Sequence, residues 1–244
     1  MAKGKIGVTT ENIFPVIKEF LYSDHDIFIR ELVANAVDAT QKLKALSGTG
    51  EVSGELGDLT IHVDVDKDKK TIKITDCGIG MTEDEVDRYI NQIAFSSAGE
   101  FLDKYKDKAG NIIGHFGLGF YSAFMVAEKV TIDTLSWQKD SEAVHWECDG
   151  GTEFSMESGS RDSVGTTITL FLNEDVLEFC NEYKAKEVIR KYCSFMPVNI
   201  FLEKEGDKAE EEPKALNDTN PLWTKHPNDV TEDEYNNFYS LKMY

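Results

Sequence analysis

From Glu11 onward the apolar positions Ile13, Phe14, Ile17, Phe20 and Leu21 recur at helical spacing. They predict a first helix of about three turns with Thr10 as its N-cap. A stronger helix is predicted from Ile27 to Leu46 on the stripe Ile27, Leu32, Ala36, Ala39 and Leu43, ended by Ser47-Gly48-Thr49-Gly50. The period then changes to two. Ile61, Val63 and Val65 alternate with polar residues, a lysine-rich turn follows at 66–70, and Ile72 and Ile74 resume the alternation, as in a β-hairpin. Thr82 with Glu85 three residues on reads as a capping box opening a short helix over 82–93. Residues 94–111 are rich in small and polar residues, with a short apolar patch at Phe101 and Leu102, and this low apolar content points to a mobile segment.

A helical turn is expected from Phe120 to Ala127, then strands near 129–136, 143–148, 152–157 and 165–172 arranged as a meander. A helix over 174–193 and a last strand over 198–202 follow. The stretch 203–214 holds six acids, three lysines and one proline, so it cannot bury enough surface to order itself. The apolar pattern resumes at Leu222, Trp223 and Tyr235 but stops too soon for a second core. The chain thus divides into a domain over 1–202, a short charged linker over 203–216 and the truncated start of a further domain over 217–244.

Composition narrows the function. Of 244 residues, 26 are Lys or Arg and 45 are Asp or Glu, a net charge of −19, and such a surface repels nucleic-acid phosphates. No apolar run is long enough for a bilayer span, and no apolar h-region follows the lysines near Met1, so neither a membrane nor a secretory route is expected and a cytoplasmic location follows. Cys77, Cys148, Cys180 and Cys193 show no CxxC spacing and are expected to be reduced.

Four constellations carry chemistry. Glu31, Asn35 and Asp38 fall at i, i+4 and i+7 of the second helix, on one face, among small and apolar neighbours. A carboxylate that can take a proton from water beside a neutral oxygen for Mg²⁺ suits phosphoanhydride hydrolysis; a solvated stripe is the other reading. Asp76-Cys77-Gly78-Ile79-Gly80-Met81 follows a predicted strand. Its glycines leave room for a flat ligand, and its Asp can accept from an exocyclic amine, although a plain tight turn also fits. Gly114-His115-Phe116-Gly117-Leu118-Gly119-Phe120 leads into a helical turn. It is neither a Rossmann turn nor a Walker loop, yet glycines before a helix N-terminus can cradle an anion or act as a hinge. Gly165-Thr166-Thr167-Ile168 enters a late strand, where a Thr hydroxyl could reach a base through water.

The order ExxxN, DxGxG, GxxGxG, GT resembles the ATP-binding domain shared by gyrase, heat-shock-protein-90 chaperones, histidine kinases and MutL. Longer runs, among them Ile27-Phe28-Ile29-Arg30-Glu31-Leu32, Asn35-Ala36-Val37-Asp38-Ala39 and Gly117-Leu118-Gly119-Phe120-Tyr121-Ser122-Ala123, are similar to the heat-shock-protein-90 family in its bacterial form. The resemblance runs from about Thr9 to Leu202 and resumes at Pro221-Leu222-Trp223-Thr224. It implies an α+β fold of the GHKL or Bergerat type, a two-layer sandwich in which helices cover a mostly antiparallel mixed sheet and ATP lies between the layers.

The resemblance also implies roles. Glu31 would be the general base, Asn35 the Mg²⁺ ligand, and Asp38 and Ala39 further contacts on the same helix. Asp76 would bind the adenine amino group, with Thr166 supporting it through water and Gly80 and Met81 as pocket wall. Gly114, Gly117, Gly119 and Phe120 would offer backbone donors to the phosphates of ATP or ADP. Residues 94–111 would form a lid. The implied protein is an ATPase chaperone acting on unfolded or partly folded clients, a homodimer when full length, whose arginine from a following domain is missing here, so that turnover is slow.

This chain departs from the family in its lid. Ala94-Phe95-Ser96-Ser97-Ala98-Gly99 stands where many members carry two lysines, and Tyr89 stands where an Asn or His often approaches the ribose. A nucleotide sensor that hydrolyses little is therefore one alternative. A DNA-directed ATPase is disfavoured by charge, and a histidine kinase because His25 follows too short a helix and reads as loop surface.

Overall fold

The computed structural model describes residues 15–17, 24–52, 56–105, 112–114, 116–203 and 214–242. The predicted first helix falls mostly outside these residues, and only its 15–17 turn is described, as helix. The helix α1 spans Ile27–Thr49 and buries Phe28, Ile29, Leu32, Val33, Ala36, Val37, Leu43 and Leu46. It runs three residues past the predicted end because the stop is set at Gly50, whose φ of 80° lets its N–H return to the carbonyls of Leu46 and Ser47.

Strands β1 (Ile61–Asp66) and β2 (Thr71–Asp76) form the expected antiparallel hairpin, with Val63 opposite Ile74. Helix α2 (Glu83–Tyr89) starts at Thr82 with both halves of the capping box present. Helix α3 (Ser97–Lys104) gives order to part of the segment whose composition suggested mobility; the Ser96 hydroxyl caps it by accepting from Ala98 N–H. A 3-10 turn over Gly119–Met125 leads into β3 (Ala127–Leu135), followed by β4 (Val144–Cys148), β5 (Ser155–Ser158) and β6 (Gly165–Leu172). A second 3-10 turn, Glu174–Phe179, precedes α4 (Glu182–Cys193) and β7 (Ile200–Glu203).

The seven strands form one sheet in the order β5-β4-β3-β6-β2-β1-β7, antiparallel except for β1 against β7. The predicted four-strand meander is corrected here. Only β3, β4 and β5 follow one another, and β6 returns to the far side of β3 to pair with β2. The reason is burial. Leu170 and Leu172 of β6 are apolar and need a covered central position, whereas Ser155, Glu157 and Ser158 of β5 are exposed and suit an edge.

Alternation along β1 buries Ile61, Val63 and Val65 while leaving His62, Asp64 and Asp66 less covered, so one sheet face meets the helices and the other faces outward. Phe28 of α1 and Phe179 meet edge to face with centroids 5.3 Å apart. Past β7 the chain returns to the sheet edge. The Leu216 N–H donates to the Ile200 carbonyl (2.8 Å), and the Asn217 side chain accepts from Ile200 N–H and donates to the carbonyls of Met196 and Val198. Trp223 of the 3-10 turn Leu222–Thr224 and Phe238 of the final helix α5 (Glu232–Lys242) pack against Phe195.

Candidate functional site

A cavity of about 680 Å³ opens between α1, the end of β2, α3 and the loop before the first 3-10 turn. All twelve residues singled out from sequence line it: Glu31, Asn35, Asp38 and Ala39 from α1; Asp76, Gly80 and Met81 from the strand end and its turn; Gly114, Gly117, Gly119 and Phe120; and Thr166 from β6. The stretches lie far apart along the chain and meet because α1 crosses the sheet.

The floor is built around Asp76. It is 5% exposed, and one carboxylate oxygen accepts from the Gly78 N–H at 2.8 Å. Burial pushes its carboxyl up to about 7, against the opposing pull of that N–H, of Arg161 and of Thr166. Gly78 is glycine because α1 passes close by: a Cβ there would lie 2.5 Å from the carbonyl carbon of Ala39, whose oxygen accepts from Ile79 N–H at 3.1 Å. Gly80 has φ of 59°, and a Cβ on it would collide with the Leu135 carbonyl. The buried Thr134 hydroxyl joins this floor to β6, accepting from Met81 N–H (3.0 Å), donating to the Gly165 carbonyl and lying 2.9 Å from Thr166 Oγ1.

The opposite end is built on the glycine loop. Asp38 accepts from the N–H groups of Ile113 (2.8 Å) and Gly114 (2.7 Å), so its carboxylate ties the loop to α1. A Cβ on Gly114 would lie 3.3 Å from Asp38 and 3.5 Å from Asn35 Oδ1, which puts the amide oxygen of Asn35 at the loop. Gly117 has φ of 65°, and a side chain there would strike the backbone of Phe95. Glu31 pairs with Arg30 at 2.7 Å, and its second oxygen would lie 2.7 Å from a Cβ on Gly119. The Phe120 ring turns into the core, edge-on to Trp146 at 5.7 Å.

Three residues escaped the sequence reading. Lys42, buried at the next helical turn after Asp38, lines the cavity and donates to Ser97 Oγ at 2.6 Å. Its ammonium is pushed down by burial and supported by the charges of Asp38 and Glu85. Its spacing from Asp38 was the only signal. Arg161 donates to the Asp76 carbonyl (3.1 Å) and to Thr167 Oγ1 (2.6 Å). Neither Arg161 nor Thr134 sits in a motif. Cys77, beside Asp76, is a free, partly buried thiol.

Such a site combines a buried hydrogen-bond acceptor on its floor, a glycine rim stripped of side chains and a carboxylate near that rim. Comparison with known proteins gives the same class. Residues 22–168 match the family model described as Histidine kinase-, DNA gyrase B-, and HSP90-like ATPase, and residues 203–243 match the model for Hsp90 protein. The chain belongs to the histidine kinase-, DNA gyrase B- and HSP90-like ATPase family.

Within that family it is HtpG-like. It is 55% identical over 250 residues to the chaperone protein HtpG of Bacteroides thetaiotaomicron, covering 100% of this chain and 36% of the relative. It is 52% identical over 243 residues to HtpG of Porphyromonas gingivalis (97% and 36%), and 38% identical over 248 residues to HtpG of Borreliella afzelii (97% and 40%). The chain spans little more than a third of these relatives. The domain is an ATP-binding ATPase domain of α+β architecture. Among the described residues no helix is long and apolar enough to cross a membrane.

Proposed function

We propose that this domain binds Mg·ATP between α1 and the sheet and hydrolyses it to ADP and phosphate, and that it powers a larger cytoplasmic chaperone. That chaperone would be a homodimer acting on unfolded or partly folded proteins, without nucleic acid or membrane partners. The observation that carries the reading is the convergence of Glu31, Asp76 and Gly117 on one cavity. The domain would end near 202, with 203–216 as linker and 217–244 as the start of the next unit.

In this reading Asp76 accepts from the adenine amino group, a contact worth most in a buried position. Thr166 supports it through water, while Ala39, Gly80 and Met81 shape the slot. The phosphates lie along Gly114, Gly117, Gly119 and Phe120, where freed N–H groups approach a helical turn. Asp38 holds that loop in place and Lys42 adds a positive charge. Glu31 takes the proton of the attacking water once it parts from Arg30. Positioning and charge supply most of the rate in phosphoryl transfer, and a lid over 94–111 would exclude solvent.

Asn35 fits a Mg²⁺ site, since its neutral oxygen faces the glycine loop and Mg²⁺ favours few protein oxygens alongside phosphate and water. No group of three or more His, Cys, Asp or Glu side chains that could hold a metal occurs among the described residues, so Asn35 would share the ion with the nucleotide. Bound there, Mg²⁺ would neutralise charge building on the phosphates.

The Arg30–Glu31 pair and the lysine-free start of the lid favour a second reading, a nucleotide sensor with little turnover. A single-turnover assay with radiolabelled Mg·ATP on the full-length protein decides. Phosphate release that Glu31→Gln abolishes supports the ATPase reading, and bound ATP recovered intact supports the sensor.

A further inference from the structure

The lid helix α3 is held to α2 by a cluster that belongs to neither the floor nor the glycine rim. The rings of Tyr89 and Phe95 stack, 6.0 Å between centroids and 13° from parallel. The Arg88 guanidinium lies over both, 5.6 Å from the Tyr89 ring and 5.0 Å from Phe95. The same guanidinium pairs with Glu100 in the first turn of α3. A planar cation that covers aromatic faces while donating from its edge to a carboxylate is what arginine does and lysine does not. The backbone of Phe95 also presses on Gly117, so the cluster touches the phosphate rim directly.

The first part of the lid brings little positive charge of its own. Among its described residues, 94–105, the only cation is Lys104, which lies 3.6 Å from Glu51 and above the Tyr105 ring. Attraction to a nucleotide phosphate therefore has little to act on over this stretch, and contacts within the protein must hold α3 in place.

We propose that Arg88, Tyr89, Phe95 and Glu100 form a latch whose opening sets the rate at which nucleotide leaves the cavity. The latch rests on the nucleotide reading of the cavity but uses none of the residues assigned to bind or hydrolyse ATP. Opening it separates Arg88 and Glu100 of α2 and α3 and lifts Phe95 from Gly117, which uncovers the phosphate rim. Arg88 and Glu100 are half-exposed, so replacing them leaves the core intact.

Stopped-flow displacement of the fluorescent N-methylanthraniloyl derivative of ADP by excess ADP tests this on the whole chain. Release should be about five- to tenfold faster in Arg88→Ala and in Phe95→Ala, from loss of ring and ion-pair contacts. The two changes should not add, because the residues share one contact. Arg88→Lys keeps the charge but not the flat stack, and should also speed release. Glu100→Gln should speed release less, and its excess over wild type should disappear at high salt, where screening has already removed the ion pair. Release rates equal to wild type in Arg88→Ala and Phe95→Ala would overturn the latch. Absence of saturable binding in the wild type would instead overturn the nucleotide reading.

Discussion

The Arg30 guanidinium lies 2.7 Å from one oxygen of Glu31, and the other oxygen points at the space that Gly119 leaves open. The carboxylate is thereby parked at the rim of the glycine loop. Replacement by Gln keeps its size and removes its basicity. Glu31→Gln is expected to bind ADP as the wild type does and to lose about 100-fold or more in hydrolysis. Isothermal calorimetry beside a phosphate-release assay checks both halves, and lost binding would mean that Glu31 holds nucleotide instead.

The glycines of the loop differ in what they protect. At Gly119 a methyl group would come closest to the Glu31 carboxylate, 2.7 Å from one oxygen and 3.5 Å from its Cβ, so Gly119→Ala should displace the carboxylate and lower kcat with little change in stability. At Gly117 the backbone is left-handed and faces backbone. Gly117→Ala should distort the loop, weaken nucleotide binding and cost about 1–3 kcal/mol. Urea unfolding and nucleotide titration of the pair would separate the two effects.

Asp38 is a positioning residue. Its carboxylate accepts two N–H groups at the start of the glycine loop, and charged acceptors of this kind are worth about 1.5–3 kcal/mol each when lost. Asp38→Ala should loosen the loop, raise the Kd for ATP more than tenfold and increase amide exchange at Ile113 and Gly114. Unaltered exchange there would show that the loop holds its own shape.

Asp76 makes the empty domain sensitive to pH. Its folded pKa, raised to about 7, exceeds the ordinary 3.8. As pH climbs from about 4 to 7, the unfolded chain releases a proton that the folded one retains, so the empty domain loses stability across that window and levels off above it. The loss is roughly 4 kcal/mol by linkage. Asp76→Asn should remove this slope, and be more stable than wild type at pH 8 but not at pH 4. Denaturant titrations at the two pH values test it. Because the carboxylate form accepts from adenine, nucleotide affinity should run the other way and weaken as pH falls below about 7.

Much of this site could be read locally. The Glu31, Asn35, Asp38 face follows from helical spacing, the β1–β2 hairpin from strict alternation, and the Thr82–Glu85 box from a four-residue motif that the structure closes in both directions. What escaped depends on contacts across the chain. The return of β6 to β3 and β2 is decided by which strands can be covered, and alternation alone does not carry that information. The part Asp38 plays in tying down the loop depends on residues 75 positions away. Lys42 and Arg161 are ordinary surface residue types until the fold buries one beside α3 and lays the other against the Asp76 carbonyl.

Calorimetric titration of Mg·ADP into the wild-type chain and Asp76→Asn, both at pH 8, tests the shared cavity most directly. One nucleotide should bind per wild-type chain, with no measurable heat of binding in the variant. Equal affinities in the two proteins, or no binding to either, would contradict the placement of adenine on the β2 end of the cavity.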